Sequence, residues 1–124
     1  MRYETYNSLI FAASGNGNSN GWGEIEEAQY PASYENVISV TALGTNNSWN
    51  HWATYHNSVD LASPGENIRS TMINGYGGMT GTSMASPVAA SVAGLLKSYN
   101  PYWSNDQIVT MLRETADPVI YSVN

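Results

Sequence analysis

The hydrophobic period of the sequence changes at Thr82, and the helix that this change predicts is the strongest constraint on the fold. Large apolar side chains recur there at helical spacing, at Met84, Val88, Val92, Leu95 and Leu96. The remaining positions of the same stretch are small, at Ala85, Ala89, Ala90, Ala93 and Gly94. A helix of such small side chains is suited to close packing on several sides, and Asn100-Pro101 ends it.

Shorter apolar runs before this helix predict three β-strands, over residues 9–13, 37–43 and 59–62. Gly, Asn or Pro residues follow the first and the third run and supply turn chemistry. After the helix, Ser104-x-x-Gln107 predicts a capping box that opens a second helix, with Ile108, Leu112 and Thr115 along one stripe. Strands joined by long connections and followed by helices predict an α/β fold with parallel pairing.

The charge balance excludes several function classes. The 124 residues contain four Lys and Arg against ten Asp and Glu, a formal net charge of −6, which argues against nucleic acid and against anionic membranes as partners. No apolar run approaches the roughly 20 residues of a membrane span. Cysteine is absent, which removes disulfides, thiolate metal sites and a thiol nucleophile.

Ser83 is a candidate nucleophile because it follows Gly81-Thr82 and lies at the start of the predicted helix. The unpaired N–H groups and the positive dipole end at a helix N-terminus favour a developing negative charge. Taken alone, the local sequence favours a simpler interpretation, in which Ser83 or Thr82 is the N-cap.

Asn16 follows the first predicted strand and lies between two glycines, which expose its side-chain amide. A neutral amide donor is suited to stabilising an oxyanion. By itself the Asn-Gly pair is more typical of a turn.

A longer run identifies a family. Gly81-Thr82-Ser83-Met84-Ala85-Ser86-Pro87 resembles the nucleophile signature of the subtilisin-like serine proteases, the subtilases. Three upstream segments resemble further elements of the family in the same order: Ala12-Ala13-Ser14-Gly15-Asn16, Tyr30-Pro31-Ala32 and, with one inserted residue, Asp60-Leu61-Ala62-Ser63-Pro64-Gly65. The resemblance implies part of a three-layer subtilisin-like fold, α/β with a mostly parallel sheet and flanking helices. Residues 1–124 would form the C-terminal portion of one catalytic domain whose N-terminal part is missing.

The resemblance also implies roles at matching positions. Ser83 is expected to be the nucleophile, the Asn16 side chain and the Ser83 N–H the oxyanion donors, and Ala13, Ser14 and Gly15 the wall of the pocket for the residue before the scissile bond. The implied activity is that of a secreted serine endopeptidase acting on protein or peptide substrates. No cofactor is required.

The catalytic Asp-His-Ser triad of the subtilases is incomplete in this sequence. Subtilases carry their catalytic Asp and His before the oxyanion Asn, and the 15 residues before Asn16 contain neither. We therefore expect both groups to come from the N-terminal part of the same domain, in an upstream segment or a separate chain. The alternative is a non-catalytic subtilase remnant or an interaction module.

For the other titratable residues a structural or solvated role is favoured over a catalytic or metal-binding one. His51 and His56 are expected to be solvated or locally hydrogen-bonded, and Asp60 is expected to be a structural carboxylate at a strand end. A metal site built from these three residues would have suitable ligands but matches no motif, so no side-chain metal site is predicted. A solvated acidic loop is favoured over a preference for basic substrates at Glu24, Glu26 and Glu27.

Cation binding by the main chain stays open. Some subtilases bind a structural calcium or sodium ion through backbone carbonyls near the positions matched by Ala32, Tyr34 and Val37. Carbonyl ligation leaves no side-chain signature in a sequence.

Overall fold

A computed structural model of the chain describes residues 7–17, 28–48 and 52–118. Its centre is a parallel sheet of three strands in the order β1 (Phe11–Ala13), β2 (Ile38–Leu43), β3 (Leu61–Pro64). Both pairings are parallel, with Phe11 opposite Ile38 and Val40 opposite Leu61. The predicted α/β class with parallel pairing is confirmed. The first strand is shorter than predicted, and the third begins two residues later, at Leu61.

All six residues of β2 are buried because the strand is paired on both edges and covered on both faces. Ile38, Val40 and Ala42 face the helix that follows the sheet and form the main apolar cluster with it. The opposite face carries Thr41, whose hydroxyl donates a hydrogen bond of 2.8 Å to the Thr54 carbonyl. This rigid central strand is the reference against which the site is positioned.

The helix predicted from Thr82 is present as α1 (Thr82–Tyr99) and lies across all three strands. Its buried face consists of small residues, among them Ala85, Ala89 and Ala93. The larger side chains do not form the face that packs on the sheet, since Val92 is 43% and Leu95 70% exposed. Within the described residues the helix packs on the sheet through this face of small side chains, and packing of its other faces stays a prediction. Small side chains let the helix backbone approach the sheet closely, which larger ones would prevent.

The second predicted helix is confirmed as α2 (Asn105–Thr115). Its capping box is complete, because the Ser104 hydroxyl accepts the Gln107 N–H at 3.2 Å and the Gln107 side chain accepts the Ser104 N–H at 2.8 Å. Ile108 is the buried apolar anchor of this helix. Neither helix in the described part of the chain is long and apolar enough to cross a membrane.

A hairpin that the sequence did not predict lies between β3 and α1. Strands β4 (Ile68–Met72) and β5 (Gly75–Met79) pair antiparallel, with Ile68 opposite Met79. Three of the five residues of β5 are glycines, which have low strand propensity. Only the pairing with β4 makes this segment a strand, and the hairpin leads the chain to the start of α1.

Candidate active site

The carboxyl end of β1 continues into the turn that holds Asn16. This turn is paired with the segment around Ala53 on its far side: the Thr54 N–H donates to the Gly15 carbonyl at 2.8 Å, and the Gly17 N–H to the Trp52 carbonyl at 2.7 Å. On its near side the Ser14 N–H continues the sheet ladder to the Val40 carbonyl at 2.9 Å. The backbone on both sides of Asn16 is therefore fixed.

The Asn16 side chain is anchored to the first residue of α1. Its Oδ1 accepts two hydrogen bonds from Thr82, one from the backbone N–H and one from the hydroxyl, both at 2.9 Å. Because a backbone N–H can only donate, the atom that faces it must be the amide oxygen. The Nδ2 donors are thereby directed away from Thr82. The Thr82 hydroxyl in turn accepts the Gly15 N–H at 3.2 Å, which closes a small network around the site.

The beginning of α1 leaves one N–H group available. The Gly81 N–H donates to the Gly65 carbonyl at 2.8 Å, the Thr82 N–H to Asn16, and the Met84 N–H to the Gly81 carbonyl at 3.0 Å. The Ser83 N–H has no acceptor among the described residues. An open N–H beside an oriented amide, at the positive end of a helix, can receive a developing oxyanion.

The Ser83 side chain is exposed at the second position of α1. It lines a groove of about 410 Å³ between α1 and the β4–β5 hairpin, together with Met84. The interpretation of Ser83 or Thr82 as the N-cap is wrong, because Gly81 occupies that position with no side-chain cap. The structure thus leaves the Ser83 hydroxyl accessible from outside.

The predicted pocket wall lies beside Asn16, and its three residues differ in what they present. Ala13 is half-buried at the end of β1, while Ser14 is buried and its hydroxyl donates to the Thr54 carbonyl at 3.2 Å. Gly15 has a φ of +111°, and a Cβ there would lie 3.0 Å from Thr54 Oγ1. Only the backbone of Ser14 and Gly15 is therefore available to a ligand.

The remaining candidates make local structural contacts. His56 Nδ1 accepts the Ser58 N–H at 3.1 Å and lies 2.9 Å from the Ser58 hydroxyl, so the expectation of a locally hydrogen-bonded histidine is confirmed for His56. Asp60 accepts the Ser39 N–H at 2.9 Å and forms an ion pair with Arg113 of α2, which confirms its structural role. His51 and the three glutamates Glu24, Glu26 and Glu27 lie outside the described residues.

One cavity adjoins the turn for which cation binding through backbone carbonyls is expected. A cavity of about 480 Å³ is lined by the turn from Ala32 to Val37, by Asp60 and Asp106, and by Arg113. Main-chain carbonyls and carboxylates are the hard oxygen donors that calcium and sodium require, but here the Asp60 carboxylate already pairs with Arg113. Within the described ranges no group of three or more His, Asp or Glu side chains could hold a metal by itself.

Sequence reasoning missed the role of Thr82. It treated this residue as a cap for its own helix, whereas the hydroxyl joins Gly15 to Asn16. No local signal could have indicated this contact, because Asn16 and Thr82 are 66 residues apart in the sequence.

Comparison with known proteins identifies the family of the chain. The model of the subtilase family matches residues 1–122. The chain is 41% identical over 109 residues to alkaline elastase YaB of Bacillus sp. (strain YaB), covering 87% of this chain and 27% of that protein. It is 42% identical over 109 residues to subtilisin Savinase of Lederbergia lenta, covering 87% of this chain and 38% of that protein.

Among solved structures, Sphericase superimposes with a TM-score of 0.73 at 29% identity, covering 87% of this chain and 39% of that one. The chain thus spans between about a quarter and two fifths of the length of the proteins it matches. The family match extends over nearly the whole sequence, and the chain therefore belongs to the subtilase family.

Proposed function

We propose that this chain forms the nucleophile side of a serine endopeptidase that hydrolyses peptide bonds through an acyl-enzyme on Ser83. The observation that carries the proposal is the start of α1, where an exposed Ser83 with an open N–H directly follows Thr82, the residue to which the Asn16 amide is hydrogen-bonded. Acyl transfer needs this combination of a nucleophile and preorganised donors for one carbonyl oxygen.

In the proposed reaction, Ser83 Oγ attacks the carbonyl carbon of the scissile peptide bond and gives its proton to a histidine. The carbonyl oxygen becomes an oxyanion, and Asn16 Nδ2 and the Ser83 N–H donate hydrogen bonds to it. The histidine then returns the proton to the leaving amine as the C–N bond breaks, which leaves an ester on Ser83. Water attacks this ester by the same route and restores the free hydroxyl.

The general base comes from outside this sequence in the proposed enzyme. Of the two histidines, His56 is engaged with Ser58, and His51 lies outside the described residues. Two surfaces support the presence of a further part of the domain. Within the described residues β1 has only β2 as a partner strand, and Leu95 of α1 is 70% exposed. An unpaired strand edge and exposed apolar side chains favour contact with further polypeptide.

The location, the substrates and the structural ion are part of the same proposal. Protein or peptide substrates follow from the activity, and an extracellular location is typical of a low-charge polar chain of this family, with 11% charged residues. A structural calcium or sodium ion would be held by main-chain carbonyls of the turn from Ala32 to Val37, where it would stabilise the fold. The chemistry itself requires no cofactor.

Labelling with a fluorophosphonate tests the proposal. The reagent is added to the protein that contains this chain together with the rest of the catalytic domain, and the modified residue is identified by peptide mass spectrometry. We expect the label on Ser83 and its loss in Ser83→Ala. Ser86→Ala, three residues along the same helix, is the matched control and should be labelled like the parent.

A folded protein in which Ser83 stays unlabelled would overturn the proposal. That outcome would favour the alternative of a non-catalytic subtilase remnant that acts by binding.

A further inference from the structure

Gly65 lies directly after β3, where the sheet meets the beginning of α1, and it is buried there. Its N–H donates to the Leu43 carbonyl at the end of β2 at 3.0 Å, and its carbonyl accepts the Gly81 N–H at 2.8 Å. The Gly81 carbonyl accepts the Met84 N–H at 3.0 Å. Three successive hydrogen bonds therefore connect the rigid central strand to the first turn of α1.

Gly65 has no room for a side chain. A Cβ at this position would lie 2.6 Å from the Ala42 Cβ, 2.9 Å from the Gly81 carbonyl oxygen and 3.2 Å from the Ala85 Cβ. None of these atoms can rotate away, since two are Cβ atoms fixed to their backbones and the third belongs to the backbone itself. A side chain would have to displace β2, α1 or the residue that caps α1.

A side chain at residue 65 would displace the first turn of α1 and not the strand β2. Ala42 is fully buried, and its strand is hydrogen-bonded along both edges. Gly81, in contrast, is joined to the sheet through its single N–H bond to Gly65 and precedes the nucleophile by two residues. A displacement of the Gly81 carbonyl would move the hydrogen bond that sets the first turn, and the Ser83 N–H with it.

We propose that Gly65 is a positioning residue for the nucleophile turn, because its missing side chain lets its carbonyl hold Gly81 and so fixes Ser83 relative to Asn16. The inference rests on the proposed role of Ser83. Two anchors then act on one turn, with the Asn16–Thr82 bonds coming from the end of β1 and the Gly65–Gly81 bond from the end of β3. The two oxyanion donors keep their mutual position only while both anchors hold.

The test uses three variants of the complete catalytic domain: Gly65→Ala, Ala42→Gly and the double variant. Ala42→Gly removes the nearest atom in the strand but leaves the Gly81 carbonyl 2.9 Å from the new Cβ. The double variant is therefore compared with Ala42→Gly alone. Stability is measured by urea unfolding, and kcat and KM are measured with a peptide substrate.

We expect Gly65→Ala to lower kcat by about 10- to 100-fold with KM changed less than about twofold, because small misplacements of reacting groups act on the chemical step. The double variant should regain part of the stability that Gly65→Ala loses, because the closest contact is removed, but it should keep the low kcat. A parental kcat in Gly65→Ala would overturn the proposal. So would a double variant that regains the kcat of Ala42→Gly together with its stability, since packing alone would then explain the effect.

Amide hydrogen exchange of Gly81 and Thr82 gives a readout that needs no activity. We expect exchange at these two amides to be at least about tenfold faster in the double variant than in Ala42→Gly, because the anchoring bond is strained. Unchanged exchange would contradict the positioning role even if the parent protein were inactive. An inactive, unlabelled parent with faster exchange would instead overturn the proposed function and leave the positioning role intact.

Discussion

Replacing Thr82 with valine removes the hydroxyl that joins the two halves of the proposed oxyanion site. The residue is 1% exposed, and valine has nearly the same shape. Two hydrogen bonds are lost, the one that the hydroxyl accepts from the Gly15 N–H at 3.2 Å and the one that it donates to Asn16 Oδ1 at 2.9 Å. The backbone N–H of residue 82 still donates to Asn16, so one of the two anchors of the amide remains.

The size of the effect follows from these contacts. Two hydrogen bonds with a net contribution of about 0.5–1.5 kcal/mol each give an expected destabilisation of about 1–3 kcal/mol. For catalysis, complete loss of the side-chain oxyanion donor lowers kcat by about 10²–10³-fold, a value measured on subtilisin, which belongs to this family. Because Asn16 keeps one anchor in Thr82→Val, we expect a smaller loss in kcat than that.

The assay combines urea unfolding with kcat and KM measurements on the complete catalytic domain. Thr82→Ser is the matched control, since it keeps the hydroxyl and loses one buried methyl group, worth about 1 kcal/mol. We expect the serine variant to retain kcat although its stability falls. Equal kcat values in the valine variant and the parent would refute the idea that the Thr82 hydroxyl orients Asn16.

Two further predictions concern stability and are checked by urea or thermal unfolding. Gly15→Ala should destabilise the protein by about 1–3 kcal/mol, because its φ of +111° is strained for any L side chain and its Cβ would press on Thr54; a variant as stable as the parent would show that the turn relaxes freely. Ser104→Ala should cost about 1 kcal/mol by removing the acceptor for the Gln107 N–H, whereas Ser104→Asp, which restores an acceptor, should recover most of it. Equal stability of the alanine and aspartate variants would contradict the capping role.

Local patterns predicted most of the elements. The capping box at Ser104 placed the start of α2, and the period change at Thr82 placed the start of α1, because both signals reside in residues close in sequence. The hairpin of β4 and β5 was not predicted because the glycines of β5 give no strand signal. These two segments are strands only because they pair with each other across the turn. Periodicity also identified an apolar stripe on α1 without indicating that the face of small side chains meets the sheet.

By itself the sequence determined the order of the family's motifs and the parallel α/β class, and through the family resemblance it predicted Ser83 and Asn16 as the residues for acyl transfer. The tertiary structure decided how those residues are presented. It showed that the Asn16 amide is turned by Thr82, that the Ser83 N–H alone lacks an acceptor among the first N–H groups of α1 in the described chain, and that Gly65 holds the turn from the other side. These facts depend on contacts between segments 16 to 67 residues apart, and such contacts arise only when the ends of parallel strands and a helix start meet at one edge of the sheet.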